Sequence, residues 1–298
     1  SQLTSASIVT ATGQIFFTLS LGMGIICNYA SYLQPDEDIV TASVATVALN
    51  EFAEVILAGT SVIPISYAFL GPEGIKGSIG LAFMALPNVF TTMAGGRIFG
   101  AVWFFLLFFA GFTSAIAMYN YLVALLEEEL GVQRKKGALL IFVLYLIVGA
   151  PIAAEGIITG EANLIYFTEV DNWIGNYLLI VLGLLEVITL AWLVRDDGLV
   201  EMNKGGLWHV PKWFYKLFHQ FLTPICIIVF LGIFTRDYWI AGNFKITPSY
   251  INGIEYMAPW VNAARLVVVV VLIIGFIQTH RAIKRKYKDE IETNKANA

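Results

Sequence analysis

Seven apolar runs, at about 7–33, 39–70, 98–126, 137–154, 172–194, 217–235 and 258–280, leave this chain few architectures. An α-helix needs about 20 mostly apolar residues to cross the hydrocarbon core of a bilayer, and runs of this length meet that need. In lipid each backbone N–H and C=O must be satisfied within the protein, so open strands are excluded and every run is expected to be a helix. Composition agrees: 58% of the 298 residues are hydrophobic and 13% charged, against about 45–50% and about 25% in soluble domains. The length has room for seven or eight spans and hardly for a dozen. The net charge of −4 and pI near 5.4 give no electrostatic case for a nucleic-acid partner. Cys27 and Cys226 both lie in apolar stretches and read as small buried hydrophobes, with no disulfide framework.

Cationic residues set the direction. One alternating set of loops holds Arg134 to Lys136, Arg195, Lys204, Lys212, Lys216 and the basic tail from Arg281, whereas the other holds only Lys76, Arg97, Arg236 and Lys245. The positive-inside rule places the first set in the cytoplasm, with the N-terminus of this chain outside and the C-terminus inside. An outside N-terminus beginning at Ser1, with no signal peptide, leads to the expectation that a preceding segment belongs to the working protein. The outer segment 71–97 surrounds the apolar stretch LAFMALPNVF with glycine and proline, and is expected to fold back as a short helical cap. The inner segment 195–213 is polar and glycine-interrupted, and 281–298 is a charged cytoplasmic extension.

The first run is the most informative, because GQIFFTLSLGMGIICNYASYL carries Thr18, Ser20, Gly22 and Gly24 near its middle. Mid-membrane glycines fit close helix packing. They equally fit an interrupted helix whose freed carbonyls and half-helix ends bind ions and a small charged substrate. The second run holds Asn50, Glu51 and Glu54. Asn50 and Glu54, four apart, share a helical face, either as a functional polar pair or as a knot joining helices. The third places Ala110, Thr113, Ser114 and Met118 along one side, a stripe suited to helix packing or to offering oxygens to a hard cation. Glu127 to Glu129 end it as a solvated terminus, followed by Arg134 to Lys136 as membrane anchors. Asp171 opens the fifth run, where a capping role is an alternative to a functional one. Glu186 and Arg265 read as structural, satisfying helix contacts. His209, His219 and His280 are scattered without metal-ligand spacing, and no catalytic motif for an intramembrane enzyme is present.

The blocks GQIFFTLSLGMG, NEFAEVILAG, ALPNVFTTMAGG, WFFLLFFAGFTSAIAM and NKGGLWHVP resemble, in order and spacing, the neurotransmitter:sodium symporters, most closely the prokaryotic amino-acid transporters of the leucine-transporter type. That resemblance implies an all-α integral membrane protein with an inverted-repeat fold of twelve helices. This chain is similar to helices six to twelve, with seven transmembrane helices, the first unwound at mid-membrane. Residues 1–195 would form the second five-helix repeat with its outer lid, 196–280 two peripheral helices and 281–298 the tail. The first five helices would come from the same or another chain.

Carried over by position, Phe17, Thr18, Ser20, Met23, Ser114 and Met118 resemble the substrate pocket, with Phe17 closing it from outside. Thr18 and Asn50 match one sodium site, and Ala110, Thr113 and Ser114 a second. Glu54 resembles the carboxylate that replaces chloride in chloride-independent members. Gln14 and Asp171 match an outer gate; Ser31, Tyr32, Asn120 and Glu128 resemble an inner one, with Glu128 one methylene longer than the usual aspartate. Met23 and Met118 stand where the leucine-type relatives have Phe and Ile, and a flexible methionine pair predicts a pocket that admits hydrophobic or aromatic amino acids. The resemblance implies a sodium-coupled, chloride-independent amino-acid symporter of the plasma membrane with no organic cofactor. A non-transporting sensor or scaffold, and a proton-coupled transporter, are the alternatives.

Overall fold

The computed structural model describes residues 5–72, 81–160 and 163–288. Helices carry the described chain: α1 (Ser5–Thr18), α2 (Ile25–Ala30), α3 (Ile39–Ala68), α4 (Leu81–Thr92), α5 (Gly96–Glu128), α6 (Arg134–Thr159), α7 (Ile165–Val194), α8 (Asp196–Met202), α9 (Lys212–Ile240) and α10 (Ala258–Lys286). Six helices are long and apolar enough to cross a membrane: α3, α5, α6, α7, α9 and the segment Glu255–Lys286 containing α10. The described residues are thus all-α, with the helices of a multi-pass membrane protein. The expected seventh helix, 7–33, is two short pieces. At 1.5 Å per residue α1 is about 21 Å long and α2 about 9 Å, so neither reaches across a core of about 30 Å alone.

Helix ends lie further out than the apolar runs. Residues 155–171, read as an outer loop, are mostly helix, because α6 continues to Thr159 and α7 starts at Ile165. Likewise α10 continues to Lys286, so the start of the charged extension is helical. The apolar pattern ends at the first charge, whereas the hydrogen-bond ladder continues until a terminator. For α6 that terminator is Gly160, at φ 71°, whose N–H closes on the Gly156 carbonyl. The expected cap within 71–97 is α4; residues 73–80, with Lys76, and the tail beyond 288, with Lys295, lie outside the described residues. Cys27 is exposed and Cys226 half-buried, so the expectation that both are buried is corrected: α2 turns Ile25 inward and leaves Cys27 outside the packed face.

The chain divides into two compact units. The first comprises 1–33, 118–201 and 210–298, and within it Phe16 packs with Leu179, Ile180 and Ile227. A second cluster, Ile165, Ile251, Met257 and Val261, joins α7 to α10 and to the turns before it. The second unit comprises 34–117 and 202–209. There α4 packs on the latter half of α3, with Leu86 and Val89 buried, and the Trp103 indole donates to the Ala82 carbonyl at 3.3 Å. Gly96 lets α5 begin against α4: a Cβ there would lie 1.6 Å from the Phe90 carbonyl oxygen. Asp38 caps α3, accepting from the Thr41 N–H at 3.0 Å and hydroxyl at 2.7 Å, and also takes the Leu207 N–H at 3.2 Å. Those donors, led by the Thr41 N–H, hold its carboxyl below the ordinary carboxylate range.

Candidate functional site

The break between α1 and α2 is a built feature. After Thr18 the chain leaves the helix through Ser20, at φ 55°, a conformation unfavourable for a residue with a Cβ. The Leu21 N–H bonds the Phe16 carbonyl at 2.9 Å and the Ser20 N–H bonds the Phe17 carbonyl at 3.0 Å, a Schellman closure with serine where glycine is usual. Gly22 and Gly24 follow at φ 73° and 71°, and Gly24 begins α2. Both also need glycine for space. A Cβ on Gly22 would lie 2.7 Å from the Leu179 carbonyl oxygen, and one on Gly24 2.3 Å from the Tyr121 ring. The break is therefore seated against α7 and α5 within its unit.

Interrupting a helix orphans backbone donors, and a carboxylate of α7 takes one: Glu186 Oε2 accepts the Gly22 N–H at 3.0 Å. The reading of Glu186 as satisfying a helix contact holds, with the partner now named as the break itself. Around it, Phe17 is half exposed, Thr18 and Ser20 are partly buried at the end of α1, and Met23 packs on the Phe16, Leu179, Ile180 and Ile227 cluster. Met118 lies in the same unit, partly buried on α5.

The expected ion ligands of the second unit divide between α3 and α5. Ala110, Thr113 and Ser114 form one exposed face of α5, with both hydroxyls turned to one carbonyl: Thr113 Oγ1 is 3.2 Å and Ser114 Oγ 3.1 Å from the Ala110 oxygen. Thr113 also donates to the Phe109 carbonyl at 2.9 Å. Three oxygens of the kind a hard cation takes are thus gathered within one turn. Asn50 and Glu54 are both partly buried on α3, but winding changes between them, because residues 52–58 are π-helical. A π turn holds about 4.4 residues against about 3.6 in an α-helix, so an offset of four still closes nearly one full turn and the two residues stay near one face of α3. Among the described residues no group of three His, Cys, Asp or Glu could hold a metal ion, so a cation here would rest on hydroxyl, amide and carbonyl oxygens.

Asp171 does not cap its helix. It lies one and a half turns inside α7, at the start of the π-helical stretch 171–178, and accepts from the Asn176 amide at 3.4 Å. Gly13 allows α1 to approach that stretch, where its Cβ would stand 3.1 Å from Asn176 Oδ1; Gln14, the next residue, is exposed. Of the expected inner-gate residues, Ser31 turns its hydroxyl to the Asn28 carbonyl at 2.6 Å, and Tyr32 and Glu128 are exposed. Asn120 accepts from Arg134 at 2.7 Å, and the same guanidinium pairs with Glu127 at 3.1 Å. Arg134 thus bridges the start of α6 to the end of α5, while it and Glu127 both remain exposed, as expected of a solvated helix terminus.

Two buried carboxylates escaped the sequence reading, because both lie outside the apolar runs as first bounded. Glu155 of α6, 1% exposed, accepts the Ile165 and Tyr166 N–H groups at 2.7 and 2.8 Å and so caps α7 from another helix. Glu169, fully buried, accepts from Arg265 Nε at 2.6 Å, from the Trp173 indole at 2.8 Å and from the Tyr250 hydroxyl. Arg265 spends its other nitrogens on the Lys245 and Asn243 carbonyls, at 2.6 and 2.7 Å. The structural reading of Arg265 holds, with Glu169 as its counter-ion.

Comparison with known proteins converges on one family. The model of the sodium:neurotransmitter symporter family matches residues 1–284. An uncharacterized sodium-dependent transporter of Methanocaldococcus jannaschii is 33% identical over 252 residues, 80% of this chain and 49% of its own length. One of Haemophilus influenzae is 30% identical over 239 residues, 77% of this chain and 50% of its own. The sodium-dependent nutrient amino acid transporter 1 of Drosophila virilis is 24% identical over 276 residues, 84% of this chain and 39% of its own. The chain spans about half the length of the curated prokaryotic relatives it matches. With a glycine-built helix break held by an acidic side chain and an oxygen-bearing face on α5, the chain belongs to the sodium:neurotransmitter symporter family.

Proposed function

We propose that this chain forms one wall of a sodium-coupled amino-acid symporter that works by alternating access, is independent of chloride and takes hydrophobic or aromatic amino acids. The observation that carries the reading is the break at residues 19–24, seated on glycines and held by Glu186. The C-terminal end of α1 carries the partial negative charge of its peptide dipoles, which favours a cation beside Thr18, the last residue of that helix. Asn50 supplies the amide oxygen of the same sodium site. Ala110, Thr113 and Ser114 supply the second, and Glu54 the fixed charge that stands in for chloride. Phe17, Ser20, Met23, Ser114 and Met118 line the substrate's side, and the two methionines make that side adaptable. Gln14 with Asp171 close the site outward; Ser31, Tyr32, Asn120 and Glu128 close it inward.

In this reading residues 1–195 are the second inverted repeat, 196–280 contribute two peripheral helices and 281–298 the cytoplasmic tail. The N-terminus of the chain faces outward across the plasma membrane. A first five-helix repeat, in the same or another polypeptide, supplies the remaining sodium and carboxylate ligands. Sodium and substrate drive occlusion only to the extent that they bind the closed state more tightly than the open one. The sodium-dependent names of the relatives support the coupling ion, and the amino-acid transporter of Drosophila virilis supports the substrate class.

The test is substrate uptake by the intact transporter under imposed sodium gradients. Asn50→Ala and Thr113→Ala each raise the sodium concentration for half-activation about tenfold, equivalent to about 1.4 kcal/mol per site. Unchanged sodium activation in both variants refutes the site assignment. In the same assay tryptophan, tyrosine and phenylalanine displace leucine, and their failure to do so refutes the pocket assignment.

A further inference from the structure

The ion pair of buried Glu169 on α7 and partly buried Arg265 on α10 is given no role in the proposed transport site, and its position gives it a task. Ile165, Tyr166 and Glu169 are all buried, and at offsets of one and four they form a single inward face. On α10 the facing residues Val261, Ala264 and Val268 are buried at offsets of three and four, with Arg265 set among them. The pair lies inside this packed seam. Arg265 ties three pieces of chain together, through the Glu169 carboxylate and the carbonyls of Asn243 and Lys245. Trp173 and Tyr250 also donate to the Glu169 carboxylate. Of the three donors, Arg265 on α10 and Tyr250 in the turn before it lie outside α7, and a carboxylate gripped by both holds one rotational setting of its helix.

We infer that Glu169 and Arg265 are positioning residues for the outer gate: their ion pair sets the rotation of α7 about its own axis and thereby aims Asp171. The inference rests on the reading of Asp171 as a gate residue. Two residues along an α-helix turn the side chain through about 200°. With Glu169 held toward α10, Asp171 points to the opposite side, and it is indeed exposed. The tip of a side chain lies about 5–6 Å from the helix axis. A rotation of about 20° therefore moves it by about 2 Å, well beyond the range of about 0.5 Å over which hydrogen-bond distances vary. Glu155 adds a second restraint at the start of the same helix, holding its first turn to α6.

A double-mutant cycle in the intact transporter separates aiming from general support. D171N, E169Q, R265Q and R265K are compared singly, and E169Q and R265Q are each combined with D171N, reading KM and kcat for sodium-driven substrate uptake. E169Q and R265Q each raise KM about tenfold with kcat changed less than about twofold, and neither adds to D171N. R265K, which keeps the charge and loses the planar fork, falls between R265Q and wild type. Independent, additive losses overturn the inference while leaving the gate standing. A D171N protein with wild-type kinetics overturns the gate assignment and this inference with it. Should R265Q fail to reach the membrane, E169Q carries the test through labelling. With Cys27 and Cys226 replaced by alanine, D171C reacts with a membrane-impermeant thiol reagent at a rate that E169Q changes about threefold or more. An unchanged rate overturns the inference.

Discussion

Removing the carboxylate of Glu155 isolates one contribution that can be worked from geometry. Leu164, the residue that precedes α7, sits at φ 52° and has no side chain able to cap. The first two amides of the helix therefore depend on Glu155, at 2.7 and 2.8 Å. Water cannot replace it, because Ile165 is 7% and Tyr166 1% exposed. A buried donor left without a partner costs about 1–3 kcal/mol. Polar contacts in membrane proteins fall at the weaker end of such ranges, so Glu155→Ala is expected to cost about 2–4 kcal/mol in all. Glu155→Gln keeps one acceptor oxygen and turns an NH₂ toward the second amide, so about half of that loss is expected. The assay is thermal unfolding in detergent together with amide exchange at Ile165 and Tyr166. Exchange at both sites should rise about 30-fold or more in Glu155→Ala, since 2 kcal/mol corresponds to about that factor. An alanine variant within about 0.5 kcal/mol of wild type, with both amides still protected, refutes the capping argument.

Three further outcomes are expected, the second resting on the role proposed for Glu54. Ser20→Gly relieves a left-handed serine and leaves stability level or up to about 1 kcal/mol higher. Gly22→Ala, whose methyl meets the Leu179 carbonyl, loses at least about 1–3 kcal/mol in the same melts; equal stabilities of the two variants refute the account of the break. Glu54→Ser removes the fixed charge and makes uptake chloride-dependent, checked by replacing chloride with gluconate; uptake indifferent to chloride refutes the role given to Glu54. The Asp38 cap depends on ionisation. Because its folded carboxyl titrates below the ordinary value of 3.8, its contribution is complete above that value and disappears as pH falls through it and below. The melting difference between wild type and Asp38→Ala should therefore shrink on acidification, and a difference independent of pH refutes the ionised cap.

Much of the architecture was legible because lipid imposes one strict condition, an internally satisfied backbone, and long apolar runs are its direct trace. The glycines and serine of the first run marked where that helix could stop, and the structure places Ser20, Gly22 and Gly24 at positive φ there. The ends of α6 and α7 were not legible. Hydropathy falls at Glu155 and Glu169, and a charged residue bounding an apolar run reads as loop when its partner is unknown. Each has its partner in another element, ten residues away in one case and 96 in the other. The π-helical turn after Asn50 was equally hidden, because a shift from four to five residues per hydrogen bond leaves no mark in a hydrophobic pattern.

By itself the sequence determined the apolar surroundings and the helical state, and marked where the first helix could be interrupted, because each follows from residue type and local spacing; the ligand roles came from the family resemblance. The tertiary structure alone decided which acidic groups are held and by what. Glu186 goes to the Gly22 amide, Glu155 to the first turn of α7, Glu169 to Arg265, and Arg134 joins Asn120 to Glu127. A charge at the edge of the membrane must find a counter-charge or a donor, but that need is met in space, and neither hydropathy nor spacing says where the partner stands.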